Sequence, residues 1–600
     1  MMPRRIPHAA LVCCLSFAAS AVTAAWAEEG AAEPNQGLTA QTRKMGGVMP
    51  DEQLALNFEH LDLSITIRPS EKRIEGDATL TLRADSEVQT LIVDLFPEFE
   101  ITEIDIDGRQ LDSADWSNPE GQLRIALPEP LDVGERIKAR IVYGGVPHVS
   151  KRPPWEGGMV WSETADGTPW VGSTLWGAGC DLLWPCIDHP TKKPAMADLH
   201  YTVPAPLVAP ANGVFLGMTE KNGWRTYHWR ARSPHTYGVI LNGGPFKLLE
   251  AEYESRFGNS FPMKFWYLPE DEAGAVELFK EFPQILDFFE SQIGPYPWAD
   301  QKMGVVETSF SGMEHQTING YGSQFEKTPY GFDTLLQHEF AHEYFANQLS
   351  NANYDDLWLH EGFGSYMQPL YSEYLHGEMD YFAKLKSTRT GIRNEQPLVT
   401  GRERSEKEVY ASEEGPRGDI YSKGSLILHT LRNLIGDAAF YEAVRTLVYG
   451  RPDPEPGNFE PQFATTEDFR RIVNDVTGRD LTWFFDVYLY RADLPQLESK
   501  RTGDKLTLTW QTPDDLPFPM PLEVQVDDDI KSLSMAEGHG ELTLPANAHV
   551  TLDPHSKILR QSDAIDHYQK WQQQPNRSVP LCGLPASGAT PLRRLQSFLP

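Results

Sequence analysis

Cysteine is scarce, with five in 600 residues, and no CxxC pair occurs. The chain therefore offers no thiolate cage for a structural zinc. Basic residues are outnumbered 53 to 85 by acidic ones, for a formal charge of −32. Such a chain repels phosphates, so nucleic acid is not an expected partner. Beyond the first apolar stretch no segment is apolar and long enough to cross a bilayer, and there is no internal repeat or coiled-coil pattern. What is plentiful is core-forming material. Apolar residues make up 40% of the chain and tryptophan occurs 15 times, which argues for packed globular domains rather than disorder. A chain of this length is too long for one core, and about three or four domains are expected.

The N-terminus reads as an export signal over 1–27. Arg4 and Arg5 precede an apolar run from Ala9 to about Ala25, and Ala25-Trp26-Ala27 fits a small-x-small cleavage site before Glu28. The processed protein is expected outside the cytoplasm, periplasmic or secreted, with no stable membrane span. Cys180, Cys186 and Cys582 then remain. Cys180 and Cys186 either pair through a local turn or stay as buried thiols, and spacing alone does not decide between them.

Residues 28–51 are Gly, Ala and polar rich and are expected to be flexible. From 52 to 248 the pattern is that of strands: Leu61, Leu63, Ile65 and Ile67 alternate with polar residues, as do Ala78, Leu80 and Leu82. Similar runs at 90–95, 122–127, 136–143, 195–203, 224–230 and 237–241 predict a large antiparallel β domain. From 249 to 498 a strand-like FPMKFWYL gives way to helical periodicity at 274–292, 332–349, 356–376, 421–436 and 466–488. Alternation returns in LTLTW, LEVQV and ELTLP, predicting a small β-sandwich domain over 499–562, followed by a loose Pro, Gly and Ser rich tail over 563–600.

One constellation stands out. HEFAH places His338 and His342 at i and i+4, and LHEGF supplies Glu361 further on. On a helix the two imidazoles share a face, so both nitrogens can approach one ion at about 2.0–2.1 Å. Glu339 lies about 100° further round, where it is better placed to take a proton from an attacking water than to bind the same metal. Two histidines and a glutamate leave a fourth position open, which marks a catalytic rather than a structural zinc. Asp333 is positioned to cap the first helix. The second helix is expected to open at Asp355 and Asp356 and to kink or end near Pro369. A polar turn between antiparallel helices would return Glu361 to the histidines.

Five stretches in this order resemble the aminopeptidase N family of gluzincin zinc metallopeptidases, which also contains leukotriene hydrolase. HEFAH with DLWLHEGFGSY is similar to its zinc signature, SGMEH at 311–315 to its GAMEN motif, and YSKGSLIL at 421–428 to the stretch bearing its catalytic tyrosine. LLWPCIDHPTKKPAMADLHYTVP resembles part of its N-terminal β domain, and TTEDFRRIVNDVTGRDLTWFFD its late helices. The resemblance implies a multidomain α+β chain: an N-terminal β domain, a thermolysin-like catalytic domain and a small C-terminal β domain, without the large helical domain of many relatives. It implies one zinc ion per chain on His338, His342 and Glu361, with Glu339 as general base and then acid. Glu314 would receive the substrate's free α-amino group, and Ser311, Gly312 and Met313 would present backbone to an extended peptide. Tyr421 would donate to the oxyanion. The implied activity is release of N-terminal residues from peptides.

The chain departs from the family pattern at two places. His315 replaces the final asparagine of GAMEN. A glutamine that often shares the amine-binding role is absent, and counting back from Pro185 puts Thr174 in its place. Endopeptidase or epoxide hydrolase chemistry at the same zinc therefore stays open, as does a non-catalytic exported binding protein. The remaining histidines, including His189, His200 and His429, read as surface or core residues. Side-chain preference and oligomeric state are not encoded in any motif.

Overall fold

The computed structural model describes residues 37–563, except 326, 412 and 458, together with 567 and 570. The expected signal over 1–27, the beginning of segment 28–51 and nearly all of the tail lie outside the described residues.

Alternation sets the first half. In the strand Leu56–Arg68 the side chains of Leu61, Leu63, Ile65 and Ile67 are buried, and Asp62, Ser64 and Thr66 take the other face. The neighbouring strand Arg73–Ala84 pairs antiparallel and sets Leu80 opposite Leu61 and Ile74 opposite Ile67, so both strands load the same core face. Each such aliphatic side chain contributes about 1.5–3 kcal/mol by leaving water. An eight-stranded sheet results, in the order Val214–Lys221, Trp224–Arg232, Met196–Pro204, Leu56–Arg68, Arg73–Ala84, Arg136–Gly145, Glu100–Ile106, Arg109–Gln110.

The expectation of a purely antiparallel sheet is corrected at its centre. Leu56–Arg68 runs parallel to Met196–Pro204, with His60 opposite Met196 and Thr66 opposite Thr202. Alternation reports which face is buried, not the direction of the neighbour, and the long intervening chain supplies the crossover that a parallel pair needs. The run 237–241 is also not a strand. It is a single tight turn, Thr236–Gly238, followed by a short strand Asn242–Gly243, with Tyr237, Val239, Ile240 and Leu241 all buried. A continuous apolar run without alternation fits either geometry. The expected flexibility of 28–51 is not seen from Gly37 onward. Leu38, Thr42 and Met45 are buried, and the Met45 carbonyl accepts from the Glu406 N–H.

A second sheet introduces the functional region. Lys247–Glu254 pairs antiparallel with Ser260–Tyr267, which is followed in parallel by Met303–Glu307 and Asn319–Tyr321. Two helices, Glu272–Phe279 and Phe282–Gln292, cross between the parallel strands. Four helices then carry the chemistry: α1 (Thr334–His342), α2 (Trp358–His376), α3 (Glu406–Tyr410) and α4 (Asp419–Ile435). Pro369 does not end α2, which continues through it to His376. Proline removes one backbone bond there, and burial of Tyr366, Met367, Leu370 and Tyr371 on both sides holds the helix together. Beyond Thr482–Tyr488, two three-stranded sheets are built from Gln496–Thr502, Lys505–Gln511 and His539–Thr543, and from Asp529–Leu533, Leu522–Val526 and Val550–Leu552. Cys180 and Cys186, left open by the sequence, form a disulfide. No helix among the described residues is long and apolar enough to cross a membrane.

The start of α2 is anchored by a buried ion pair. The Arg404 guanidinium, fully buried, lies 2.6 Å from Asp355, whose carboxylate also accepts from the N–H groups of Thr400 and Gly401. Removing one partner leaves the other charge stranded, at a cost of about 3–5 kcal/mol, whereas a solvated pair is worth about 0–1 kcal/mol. Arg404→Ala is therefore expected to lower stability by the larger amount in denaturant melts. Arg136→Ala, which breaks the exposed pair with Glu59, should shift the midpoint little.

Candidate metal centre

α1 begins where Asp333 accepts from the Leu336 N–H at 2.9 Å, and the same carboxylate is held by the Tyr321 hydroxyl at 2.6 Å. The helix was expected to reach residue 349 but stops at His342. Glu343–Gln348 form a wider turn in which Phe345 (φ −114, ψ 59) and Ala346 (φ 177, ψ −54) leave helical geometry. The cause is tertiary. Glu343 is buried and its carboxylate accepts from the Thr317 N–H and the Asn319 side chain, bonds that a continuous solvent-facing helix could not make. The break has a local consequence: the freed Phe345 carbonyl accepts from His342 Nδ1 at 3.1 Å. That bond assigns the ring proton to Nδ1 and leaves Nε2 as a lone-pair donor.

α2 packs across α1 with Gly364 at the contact. A Cβ there would lie 2.8 Å from His342 Cε1, so only glycine allows this approach. Glu361, one turn into α2, is thereby brought to the histidines. His338 Nε2 and His342 Nε2 are 3.0 Å apart, and Glu361 Oε2 lies 3.6 Å from the first and 3.4 Å from the second. Donors held at about 2.0–2.1 Å by one tetrahedral ion are themselves roughly 3.3–3.4 Å apart, so the triad fits a zinc-sized cation. Glu361 Oε2 is buried with no hydrogen-bond partner, as a ligand atom awaiting a cation would be. Burial raises the Glu361 carboxyl, but the imidazoles of His360, His338 and His342 outweigh it and hold it well below the carboxylate range. Burial works to lower His342, and Glu361 overcomes it, raising that imidazole to about 9. The three side chains behave as one charged unit.

Glu339 lies about 100° round α1 from His338. Its carboxylate lies against Gly312, where a Cβ would sit 2.1 Å from Oε1; the glycine of SGMEH is what leaves room for it. Burial, then the charge of Glu314, push the Glu339 carboxyl well above its usual range. Tyr421, near the start of α4, donates to Glu361 Oε1 at 2.8 Å. Burial, then Glu361, keep its phenol protonated far above the usual tyrosine range. Glu314 is buried, accepts from the Tyr237 hydroxyl at 2.6 Å, and is raised first by burial.

Of the three residues expected to offer backbone, Met313 is already committed. Its N–H and C=O pair with Gly320 across a β-bridge. Ser311 offers a carbonyl only weakly engaged by Thr308 at 3.4 Å. Gly312 keeps both backbone groups without a hydrogen bond among the described residues. The Thr174 hydroxyl donates to the Pro154 carbonyl. The Trp176 ring meets Tyr237 at 5.1 Å and His360 at 5.7 Å, both edge-on.

Sequence reasoning missed four residues of this site: Trp176, Tyr237, His360 and Tyr410. Tyr410, at the end of the short helix α3, lies 2.8 Å from the Tyr421 hydroxyl; a five-residue helix carries no periodicity to reveal it. His360 was visible beside Glu361 in LHEGF. It belongs to a second convergent group, Glu314, His342 and His360. Burial, then His342, hold it well below its usual imidazole range. His189 and His429 are buried and hydrogen-bonded to Glu403 and Tyr381, and His200 is half-buried.

The family description "Peptidase family M1 domain" matches residues 279–488, which include every helix of this site. The alanine/arginine aminopeptidase of Saccharomyces cerevisiae is 22% identical over 493 residues, covering 77% of this chain and 54% of the yeast protein. Aminopeptidase B of Homo sapiens is 24% identical, covering 63% of this chain and 54% of the human protein. The chain thus spans about half the length of these two curated relatives. The M1 zinc metallopeptidase from Deinococcus radiodurans superposes with a TM-score of 0.62 at 25% identity, covering 73% of this chain and 95% of that one. A mutant of it bound to a Tyr-Ser-Ala substrate gives 0.60. Fold, site and likeness point the same way: residues 279–488 match a peptidase family M1 domain, and the chain is similar to aminopeptidases and zinc metallopeptidases of that family.

Proposed function

We propose that this protein is a zinc-dependent aminopeptidase that releases N-terminal residues from peptides. The observation that carries the proposal is the convergence of His338, His342 and Glu361 within 3.0–3.6 Å of one another, next to a second buried carboxylate, Glu314. The first group would hold one zinc ion per chain. The second gives a reason to demand a charged N-terminus, since a blocked substrate would leave Glu314 buried and unpaired. Peptides with a free N-terminus are thus the proposed substrates.

The bound zinc would polarise the scissile carbonyl and acidify the attacking water. Glu339 takes the proton from that water and passes it to the departing amine. Tyr421 turns its hydroxyl from Glu361 toward the oxygen that becomes negative, with Tyr410 supporting it from behind. Gly312 offers backbone groups to the peptide passing beside Glu339. The strand-rich residues 52–248, the helical block 249–498 and the paired sheets over 499–562 are proposed as three domains, the last a small β-sandwich. The basic pair and apolar stretch at the N-terminus support export to the periplasm or outside the cell.

Chelation is expected to abolish hydrolysis of an aminoacyl fluorogenic substrate, and stoichiometric zinc to restore it. Glu339→Gln should lower kcat by about 10²–10⁴ with metal content unchanged; wild-type turnover in this variant would refute the mechanism. Tyr421→Phe should lower kcat by about 10²–10³ with little change in KM. A free peptide should be cut far faster than its N-acetylated counterpart, and equal rates would point to an endopeptidase.

A further inference from the structure

Next to the metal triad lies a buried polar cluster whose composition differs in kind from a carboxylate paired with an amide. It contains Glu314, with Oε1 held by the Tyr237 hydroxyl at 2.6 Å. Facing that oxygen at 3.6 Å, beyond hydrogen-bonding distance, is His360 Nε2. His360 is 2% exposed, and its Nε2 has no hydrogen-bond partner. Trp176 packs against the cluster, edge-on to both His360 and Tyr237. The His342 ring stands edge-on to His360 at 4.4 Å, so the cluster adjoins the metal donors.

A buried acceptor left unpaired costs about 1–3 kcal/mol. Such a cost is recovered when a ligand brings the missing donor. With the ring proton on Nδ1, His360 Nε2 is an acceptor, and two acceptors 3.6 Å apart can both lie about 2.8 Å from a single nitrogen placed between them. That nitrogen must carry at least two hydrogens. A peptide or acetylated nitrogen carries one and would leave one acceptor bare, whereas a primary ammonium carries three. Its charge also complements Glu314.

We propose that His360 is a specificity-determining residue of this chain, its Nε2 accepting a hydrogen bond from the substrate's α-ammonium group while Glu314 accepts another. The imidazole takes the place that an amide side chain would fill, and Trp176 supplies an apolar wall where Thr174 was expected by counting. This inference rests on the aminopeptidase reading and deepens it by naming the second amine contact. His360 does not touch the scissile bond, so its contribution falls on binding of the N-terminus rather than on the acid–base step.

The test compares His360→Phe, which keeps a ring and loses the acceptor, with His360→Gln, which keeps an acceptor. Substrates are an aminoacyl anilide and its N-acetyl counterpart. Expected for His360→Phe is a fall of about 10- to 100-fold in kcat/KM for the free amine, mostly in KM, with the slow acetylated rate unchanged and one zinc per chain retained. His360→Gln should keep most of the wild-type selectivity. An unchanged KM in His360→Phe, an equal fall for both substrates, or a glutamine variant as weak as the phenylalanine one would overturn the proposal. So would a second equivalent of zinc bound by the wild type and lost from both variants, since Glu314, His342 and His360 would then be a cation site. A crystal structure of the wild type with a free amino acid gives an answer independent of variant folding. The α-nitrogen should sit within hydrogen-bonding distance of both Glu314 and His360, and a nitrogen remote from His360 would refute the assignment. A wild type that cuts both substrates equally would instead refute the aminopeptidase reading itself.

Discussion

The site depends on carboxyl groups concentrated out of water. Glu361, Glu339 and Glu314 are all buried around two helices, and no lysine or arginine is hydrogen-bonded or ion-paired with any of the three among the described residues. Carboxylates so placed either take up protons or gather around a cation. Burial pushes Glu339 and Glu314 upward, while Glu361 is held down by three imidazoles. The three carboxyls are thus driven apart in acidity by their surroundings, and such a spread lets neighbouring groups of one kind serve different roles. Glu361 is the permanent anion suited to a metal, Glu339 the group able to gain and lose a proton, and Glu314 the partner for an incoming positive charge.

Holding these groups in place required breaking regular structure at one point and preserving it at another. α1 ends at His342 because Glu343 turns inward to Thr317 and Asn319, and the loosened backbone supplies the Phe345 carbonyl that orients His342. α2 persists through Pro369, so its buried face stays continuous from Trp358 to Tyr371.

These features divide by the range of the interaction that produces them. The donors His338 and His342, the cap at Asp333 and the alternation in Leu56–Arg68 are local, so spacing and pattern make them legible. The turn after His342, the parallel pairing of Leu56–Arg68 with Met196–Pro204 and the docking of Tyr410 on Tyr421 depend on residues distant in the chain, and no local period encodes them. Thr174 shows the difference sharply. Counting along the chain assumes a fixed path, but the strand Pro169–Thr174 ends there, the Thr174 hydroxyl bonds to Pro154, and Trp176 packs against Tyr237 and His360. Met313, expected to offer backbone to the peptide, has its N–H and C=O paired with Gly320.

The geometry of the triad is set from far outside the triad. The turn leading into α2 carries two buried carboxylates, and each binds a different later segment. Asp355 holds Thr400, Gly401 and Arg404, and Asp356 accepts from the Thr466 N–H at 2.8 Å. Trp358, on the first turn, donates to the Thr466 hydroxyl. The angle at which α2 leaves this turn therefore depends on chain that folds well after the zinc motif, while Gly364 fixes how closely α2 then approaches α1. The matched family stretch is 279–488. It encloses the metal donors and also Arg404 and Thr466, which hold α2 at its start. A shorter piece containing only HEFAH and LHEGF would keep all three donor residues and lose the bonds that aim the third one at the other two.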